Sequence, residues 1–316
     1  MTDSNKKLVV LTGPTAVGKT ALSIQLAKII NGEIISADSI AVYKHFDIGS
    51  AKITKNEMQG IKHHLIDVME PKEDFNVARF KMLADEAIAS IYERGHIPII
   101  TGGTGFYIQA VLNDIDFTNN EENGYRKELE MLCEQKGNLC LFEMLQKIDP
   151  ESARAIHPNN VKRVIRALEF YNQTGMKISE HNAREKTKKS AYNSAYFVLN
   201  CERNVLYERI EKRIDEMIEQ GLVDEVRALV DEYGVTAEDV SMQGLGYKEI
   251  LEYLNGSLTL DEAVYKIKRD TRHFAKRQLT WFKREPEVLW VDKDKLATQK
   301  KQLDYILSVL NERHII

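Results

Sequence analysis

Residues Lys7–Thr20 read KLVVLTGPTAVGKT, and this stretch decides the fold. Lys7–Thr12 is a short apolar run that stops at Gly13 and Pro14, as a buried parallel strand does. Gly13, Pro14, Thr15, Ala16, Val17, Gly18, Lys19 and Thr20 then satisfy every fixed position of GxxxxGK[ST]. Apolar residues at mostly helical spacing follow as far as Ile30. Strand, glycine-bearing loop and helix in that order make a phosphate site. The glycines let the backbone curl so that successive N–H groups point inward, and the helix N-terminus adds positive potential. Lys19 sets a charge against the terminal phosphate, and Thr20 presents a hydroxyl to Mg2+. The stretch therefore predicts a site for a di- or triphosphate.

Outward from this loop, strands and helices alternate. Glu33–Ser36 is a second strand, Asp74–Arg94 an amphipathic helix, and Ile97–Thr101 a buried strand. Gly102-Gly103 then turns into a helix running through Leu112. Such alternation calls for a parallel sheet covered on both faces. After Asn113 the pattern is helical only, over 124–136, 139–147, 150–156 and 159–174. This block is flanked by the polar break TNNEENG (118–124) and the basic linker NAREKTKKS (182–190). Strand character returns at Tyr196–Asn200. A long helix follows from about Val205 to Tyr233, then a helix over Asp261–Phe282, a strand at Val288–Val291 and a closing helix over 296–311. The expected fold is α/β: a P-loop NTPase-like parallel sheet flanked by helices, built from residues 1–114 and 195–316. An all-helical insertion over 115–194 interrupts it.

The chain has 316 residues, 43% apolar and 29% charged, an ordinary globular composition that needs no covalent staples. Its three cysteines form no CxxC or Cys/His pair of zinc spacing, which argues against a disulfide framework or structural zinc. No apolar run reaches membrane-spanning length, and MTDSNKK leads into LVVL without a signal-peptide core. A cytoplasmic protein with no membrane partner is expected. The net charge of −4 excludes indiscriminate polyanion binding, but charge is segregated. Arg154–Lys189 holds nine Lys/Arg against three Glu, a balance of +6, and Lys266–Arg284 holds eight against one Asp, a balance of +7. Two such segments fit either a polyanion on one face or two solvated helix faces.

The loop alone does not say whose phosphates it binds. Strand 97–101 ends in Thr-Gly-Gly, where phosphoryl-transfer enzymes usually supply a second carboxylate for Mg2+. Asp38, in ISADS after the second strand, lies at the carboxyl edge where ligands of open α/β sheets gather. It reads equally as the N-cap of the following turn. In His63-His64, adjacent strand side chains point to opposite faces, which favours a structural role over a metal pair. Arg213 reaches a phosphate or pairs with Asp215 or Glu216, and spacing leaves both open. Arg272, Lys276 and Arg277 share roughly one helix face, whereas Phe274, Leu279, Trp281 and Phe282 read as core.

Seven blocks together carry a resemblance: GPTAVGKT, DSIAVYKHFDIGSAK, HHLIDVMEP, GGTGFYI, DPESARAIHPNNVKRVIRALE, GLGYKE and TRHFAKRQLTWFKRE. In order and spacing, from about residue 8 to 290, they resemble the bacterial tRNA dimethylallyltransferases. The resemblance implies transfer of the dimethylallyl group of dimethylallyl diphosphate to the exocyclic amine of the adenosine 3′ of the anticodon. Gly13 to Thr20 would then hold a diphosphate leaving group rather than ATP. Thr20 would be the Mg2+ ligand, Lys19 and Arg213 would neutralise the departing pyrophosphate, and Asp38 would accept the amine proton. Asp38, Ser39, Ile40 and Ala41, with Thr104 and Arg126, match positions that contact the tRNA. So do Lys162, Arg163, Val164, Ile165 and Arg166, and Gln243, Gly244, Leu245, Gly246, Tyr247 and Lys248. Thr104 also belongs to the implied catalytic set. Two positions depart from the family pattern: Ala41 stands where Gln is usual, removing a possible amide contact, and Ser50 replaces Thr but keeps a hydroxyl. A monomer binding the anticodon stem-loop through the insertion is expected. The alternatives are an ATP-dependent small-molecule kinase on the same core, and an RNA-binding module with a vestigial nucleotide loop. The missing strand-end acid and the two basic segments oppose the first. An intact Lys19, Thr20 and Asp38 oppose the second.

Overall fold

A computed structural model describes residues 3–117, 124–187 and 190–316. Most of the TNNEENG break and Lys188-Lys189 of the basic stretch lie outside the described residues. The chain divides into two units, Met1–Leu112 with Ser190–Ile316, and Asn113–Lys189.

The first unit opens with β1 (Asp3–Thr12), α1 (Lys19–Ile30), β2 (Gly32–Ala37), α2 (Lys55–Met58) and β3 (His63–His64). It continues with α3 (Val77–Glu93), β4 (Ile97–Gly102) and α4 (Gly105–Leu112). The second unit holds α5 (Tyr125–Lys136), α6 (Asn138–Ile148), α7 (Pro150–Ala155), α8 (Val161–Thr174) and α9 (Ile178–Thr187). The first unit resumes with β5 (Tyr192–Asn200), α10 (Arg203–Glu219), α11 (Leu222–Tyr233), a 3-10 turn at Val240–Gln243 and α12 (Tyr247–Leu254). It ends with α13 (Leu260–Phe282), β6 (Val288–Asp292) and α14 (Gln299–Glu312).

The six strands form one parallel sheet in the order β3-β2-β4-β1-β5-β6. Its central strands are apolar on both faces: Leu8–Leu11, Ile99, Ile100 and Ala195–Leu199 are all completely buried except Tyr196, at 6% exposed. Helices therefore cover both sides, as the run lengths predict. Register brings Thr12, Gly102 and Ala37 level with one another, so the loops after β1, β2 and β4 leave from one edge. Thr12, buried there, donates its hydroxyl to Gly102 O at 2.6 Å, and Thr101 donates to Leu11 O at 2.9 Å.

Three expectations need correction. The insertion ends before residue 190, because Tyr192, Asn193 and Ser194 pair with Asp3, Lys7 and Leu8 of β1. The helix expected over Val205–Tyr233 is two helices, broken at Gly221, whose φ of 99° no helix accommodates. Much of the basic linker is helical, because Ala183, Arg184, Glu185 and Lys186 are good helix formers and the first turn of Ile178–Thr187 is anchored. Buried Asp149 accepts from Ser152 N at 3.0 Å and from Ser179 N at 3.0 Å, tying the starts of α7 and α9 together.

The insertion has its own core, formed by Leu129, Leu141, Leu145, Val164, Ile165 and Leu168 among others. Among the described residues, no helix is long and apolar enough to cross a membrane.

Candidate active site

A cavity of about 560 Å³ opens at the strand ends of the α/β unit. The loop 13–20 closes one side. Gly13, at φ 151°, passes so near β5 that a Cβ would lie 2.7 Å from Leu199 O. Lys19 Nζ donates to Gly13 O at 3.0 Å and to Pro14 O at 2.8 Å. Burial, and secondly the charge of Arg213, pull the Lys19 ammonium down to about 7, against the opposing pull of Asp38. Arg213 also lines the cavity, and burial lowers it too. Two cations withdrawn from water raise one another's free energy, and a bound polyanion relieves that cost. Asp215 pairs with Lys268 at 2.6 Å, and Glu216, 3.7 Å from Lys212, acts on Arg213 through its charge while Arg213 lines the cavity.

Asp38 caps a turn and lines the cavity. Its Oδ1 accepts from Ile40 N at 2.9 Å and Ala41 N at 3.2 Å, capping the turn after β2. Oδ2 takes no part in those bonds, and the residue lines the cavity. Ser39 and Ile40 line it half-buried, and Ala41 is 6% exposed. Thr104, whose N–H donates to Ala37 O at 3.3 Å, faces them across the strand ends. Part of the remaining wall is apolar. Ile40, Ile53, Ile66, Phe75 and Tyr107 contribute to it, with Tyr107 stacked on Phe80 at 4.5 Å. Burial, and secondly the charge of Asp38, push the Tyr107 phenol up to about 12. A cationic end, a carboxylate and an apolar wall suit a diphosphate ester of a short hydrocarbon meeting a proton-bearing nucleophile.

Among the described residues, no group of three or more His, Cys, Asp or Glu is arranged to hold a metal. Mg2+ needs no such cage: it takes one or two protein oxygens and completes its shell with phosphate and water. The exposed Thr20 hydroxyl at the start of α1 lines the cavity and fits one such oxygen position.

His63 and His64 part as their strand requires. His64 Nε2 pairs with Glu33 at 2.7 Å, whereas His63 lines the cavity with its Nδ1 2.9 Å from Ile61 O. Phe274, read as core, is instead a half-buried cavity residue with the Arg277 guanidinium 5.8 Å from its ring centroid. Gln243, Gly244 and Leu245 line the cavity and Lys248 is exposed. Gly246 gives its N–H to Glu249 at 2.8 Å. Tyr247, matched to a position that contacts the tRNA, is completely buried, so the role of its side chain is corrected to a support of the wall.

On the insertion, Lys162, Arg163 and Arg166 are exposed on α8. Val164 and Ile165 are corrected likewise: they are core residues, because α8 turns them away from solvent every helical turn. Arg126 donates to Glu169 at 2.9 Å and Arg166 at 3.4 Å, so this buried carboxylate already engages both cations.

Sequence reasoning missed Gln278 and Lys293. Gln278 Oε1 accepts from Thr15 N at 3.0 Å and Lys293 Nζ donates to Val17 O at 2.9 Å. Only the basic, Gln-bearing run TRHFAKRQLTWFKRE hinted at the first, and no local signal marked the second.

A tRNA dimethylallyltransferase of Lachnoclostridium phytofermentans is 57% identical over 310 residues, 98% of this chain and 99% of that protein. Another, of Carboxydothermus hydrogenoformans, is 51% identical over 297 residues, 94% of this chain and 95% of that protein. The crystal structure of the full-length tRNA isopentenylpyrophosphate transferase of Bacillus halodurans is 45% identical with a TM-score of 0.73, covering 98% of each chain. A eukaryotic dimethylallyltransferase, solved in crystallographic snapshots of its action on tRNA, is 32% identical with a TM-score of 0.85. It matches over 98% of this chain and 79% of its own. The sequence pattern of the IPP transferase family matches residues 41–285, and on this match and these near full-length relatives the chain belongs to that family.

Proposed function

We propose that the chain is a tRNA dimethylallyltransferase. It transfers the dimethylallyl group of dimethylallyl diphosphate to the N6 amine of the adenosine 3′-adjacent to the anticodon and releases diphosphate. The observation that carries this reading is one cavity holding the Lys19 loop, Arg213, Asp38 and an apolar wall.

An adenine amine is a poor nucleophile, so the barrier lies in leaving-group departure and positioning. The bond from the allylic carbon to the diphosphate oxygen breaks as N6 bonds to that carbon, and the amine proton passes to Asp38. Loop amides, Lys19 and Arg213 stabilise the charge that appears on the diphosphate. Thr20 would hold Mg2+, which when bound would add to the neutralisation of that charge. Ile40, Phe75 and Tyr107 keep water from the allylic carbon, and Thr104 stands beside the reacting groups. The adenosine leaves its stack to reach the cavity, which costs a few kcal/mol. Phosphate contacts offset that cost, and the exposed Lys162 and Arg163 on the insertion are suited to make them on the anticodon stem-loop. The reading includes a cytoplasmic enzyme that acts as a monomer.

Incubating unmodified tRNA with dimethylallyl diphosphate and Mg2+ tests this directly. The expected product is one prenylated adenosine per tRNA with release of diphosphate. Mg2+-dependent ATP hydrolysis or small-molecule phosphorylation, with no prenylated nucleoside, would establish the kinase alternative instead.

A further inference from the structure

The phosphate loop is gripped from outside by two side chains from the last 40 residues of the chain. On one flank Thr15 N–H donates to Gln278 Oε1 at 3.0 Å. The other end of that carboxamide is occupied as well, since Nε2 donates to Gly103 O at 2.9 Å. Gln278 is 6% exposed, and a Cβ at Gly103 would sit 2.2 Å from its Nε2, so the fold reserves space for it. On the other flank Lys293 Nζ donates to Val17 O at 2.9 Å and lies 3.0 Å from where a Cβ of Gly18 would be. Between the two anchors stands Ala16, with φ +61°. An L side chain enters that left-handed region only at a cost, and such a conformation persists where its surroundings over-determine it.

We propose that Gln278 and Lys293 are positioning residues of the diphosphate site. They hold Thr15–Val17, with Ala16 in its left-handed conformation, in the shape that presents the following amides and Lys19 to the ligand. The inference rests on the loop being the diphosphate site. Neither side chain need touch the reacting atoms. The loop sequence alone can form the curl, and the clamp sets how much of the time it is formed.

Inorganic diphosphate with Mg2+, titrated calorimetrically into the full chain, reads the clamp without reference to turnover. In Gln278→Met and in Lys293→Met, the diphosphate Kd and the KM for dimethylallyl diphosphate should each rise about 5- to 10-fold, the scale of one lost hydrogen bond. The KM for tRNA should stay near wild type in both variants, and so should the melting temperature of Lys293→Met, whereas Gln278→Met, which also strips Gly103 O of its donor, should melt lower. Ala16→Gly, placed in either variant, should restore part of the loss, because glycine takes a positive φ without strain. Lys293→Arg keeps a donor for Val17 O and should bind diphosphate within about twofold of wild type. It carries the test if Gln278→Met fails to fold. Unchanged diphosphate binding in Lys293→Met overturns the clamp, and so does a loss that Ala16→Gly leaves untouched. A wild-type chain that binds no diphosphate would overturn the site assignment as well.

Discussion

Tyr247 donates its phenol proton to Glu225 at 2.8 Å, and together these two side chains hold the loop 47–50. The Glu225 carboxylate also accepts from Asp47 N at 3.0 Å, Ile48 N at 2.7 Å and Gly49 N at 3.1 Å. The Tyr247 oxygen accepts from Ser50 N at 3.1 Å. A segment whose motif suggested RNA contact thus braces part of the cavity wall, which includes Ser50, Ala51 and Lys52.

Tyr247→Phe should therefore act on stability rather than on RNA. It strips Glu225 of a donor and Ser50 N of an acceptor in a buried place, a loss of roughly 1–3 kcal/mol. Thermal unfolding should report a lower melting temperature, and filter binding a tRNA affinity close to wild type. The reverse pattern would return the phenol to the interface.

Asp38→Asn separates chemistry from capping. Asparagine is as good an N-cap as aspartate, so the turn at Ile40 and Ala41 should survive with stability nearly unchanged. Single-turnover rates at saturating tRNA should fall by roughly 10²–10⁴, the usual scale for a positioned acid–base group. A rate within a few-fold of wild type would end the general-base role.

Lys19 ties diphosphate affinity to pH. Its ammonium lies at about 7 because burial comes first and Arg213 second. A bound diphosphate raises that value, so above pH 7 the complex holds a proton that the free protein has lost. Binding must then weaken as pH rises from about 7 towards the raised value of the complex. Calorimetry across this range should show a steeper fall for wild type than for Lys19→Met, which leaves only the ligand's own titration. The same variant should lose prenyl transfer by on the order of 3 kcal/mol in transition-state stabilisation while keeping most of its tRNA affinity. Parallel pH slopes would place Lys19 away from the diphosphate.

Charge reversal on α8 should discriminate among its basic residues. Lys162→Glu and Arg163→Glu should each lower the magnitude of the salt-dependence slope of tRNA binding by roughly 0.7 to 0.9. Arg166→Glu sets a like charge beside Glu169, which now accepts from Arg166 at 3.4 Å and Arg126 at 2.9 Å. It should therefore lower the insertion's stability together with affinity. An unchanged slope for Lys162→Glu and Arg163→Glu would make these two a solvated face.

What the chain declares locally, it declares in contiguous residues. The curl of Gly13–Thr20 is announced by its own glycines and the helix that follows. The apolar runs at Leu8–Leu11, Ile97–Ile100 and Tyr196–Leu199 demand burial on two faces wherever they go. Such signals have periods of two to four residues, so α/β class, phosphate loop and helical insertion were legible without coordinates. Asp38 was legible as a candidate, although its capping bonds to Ile40 and Ala41 had to be seen before its two oxygens could be told apart. What the tertiary structure alone decided are meetings across long stretches of chain. Gln278 finds Thr15 263 positions away, and Lys293 finds Val17 276 positions away. Arg213 meets the same cavity as Lys19, 194 positions away. Tyr247, Val164 and Ile165 leave the motifs that contain them for the interior. A motif specifies backbone and residue type, but which way each side chain faces depends on what the rest of the fold packs against it.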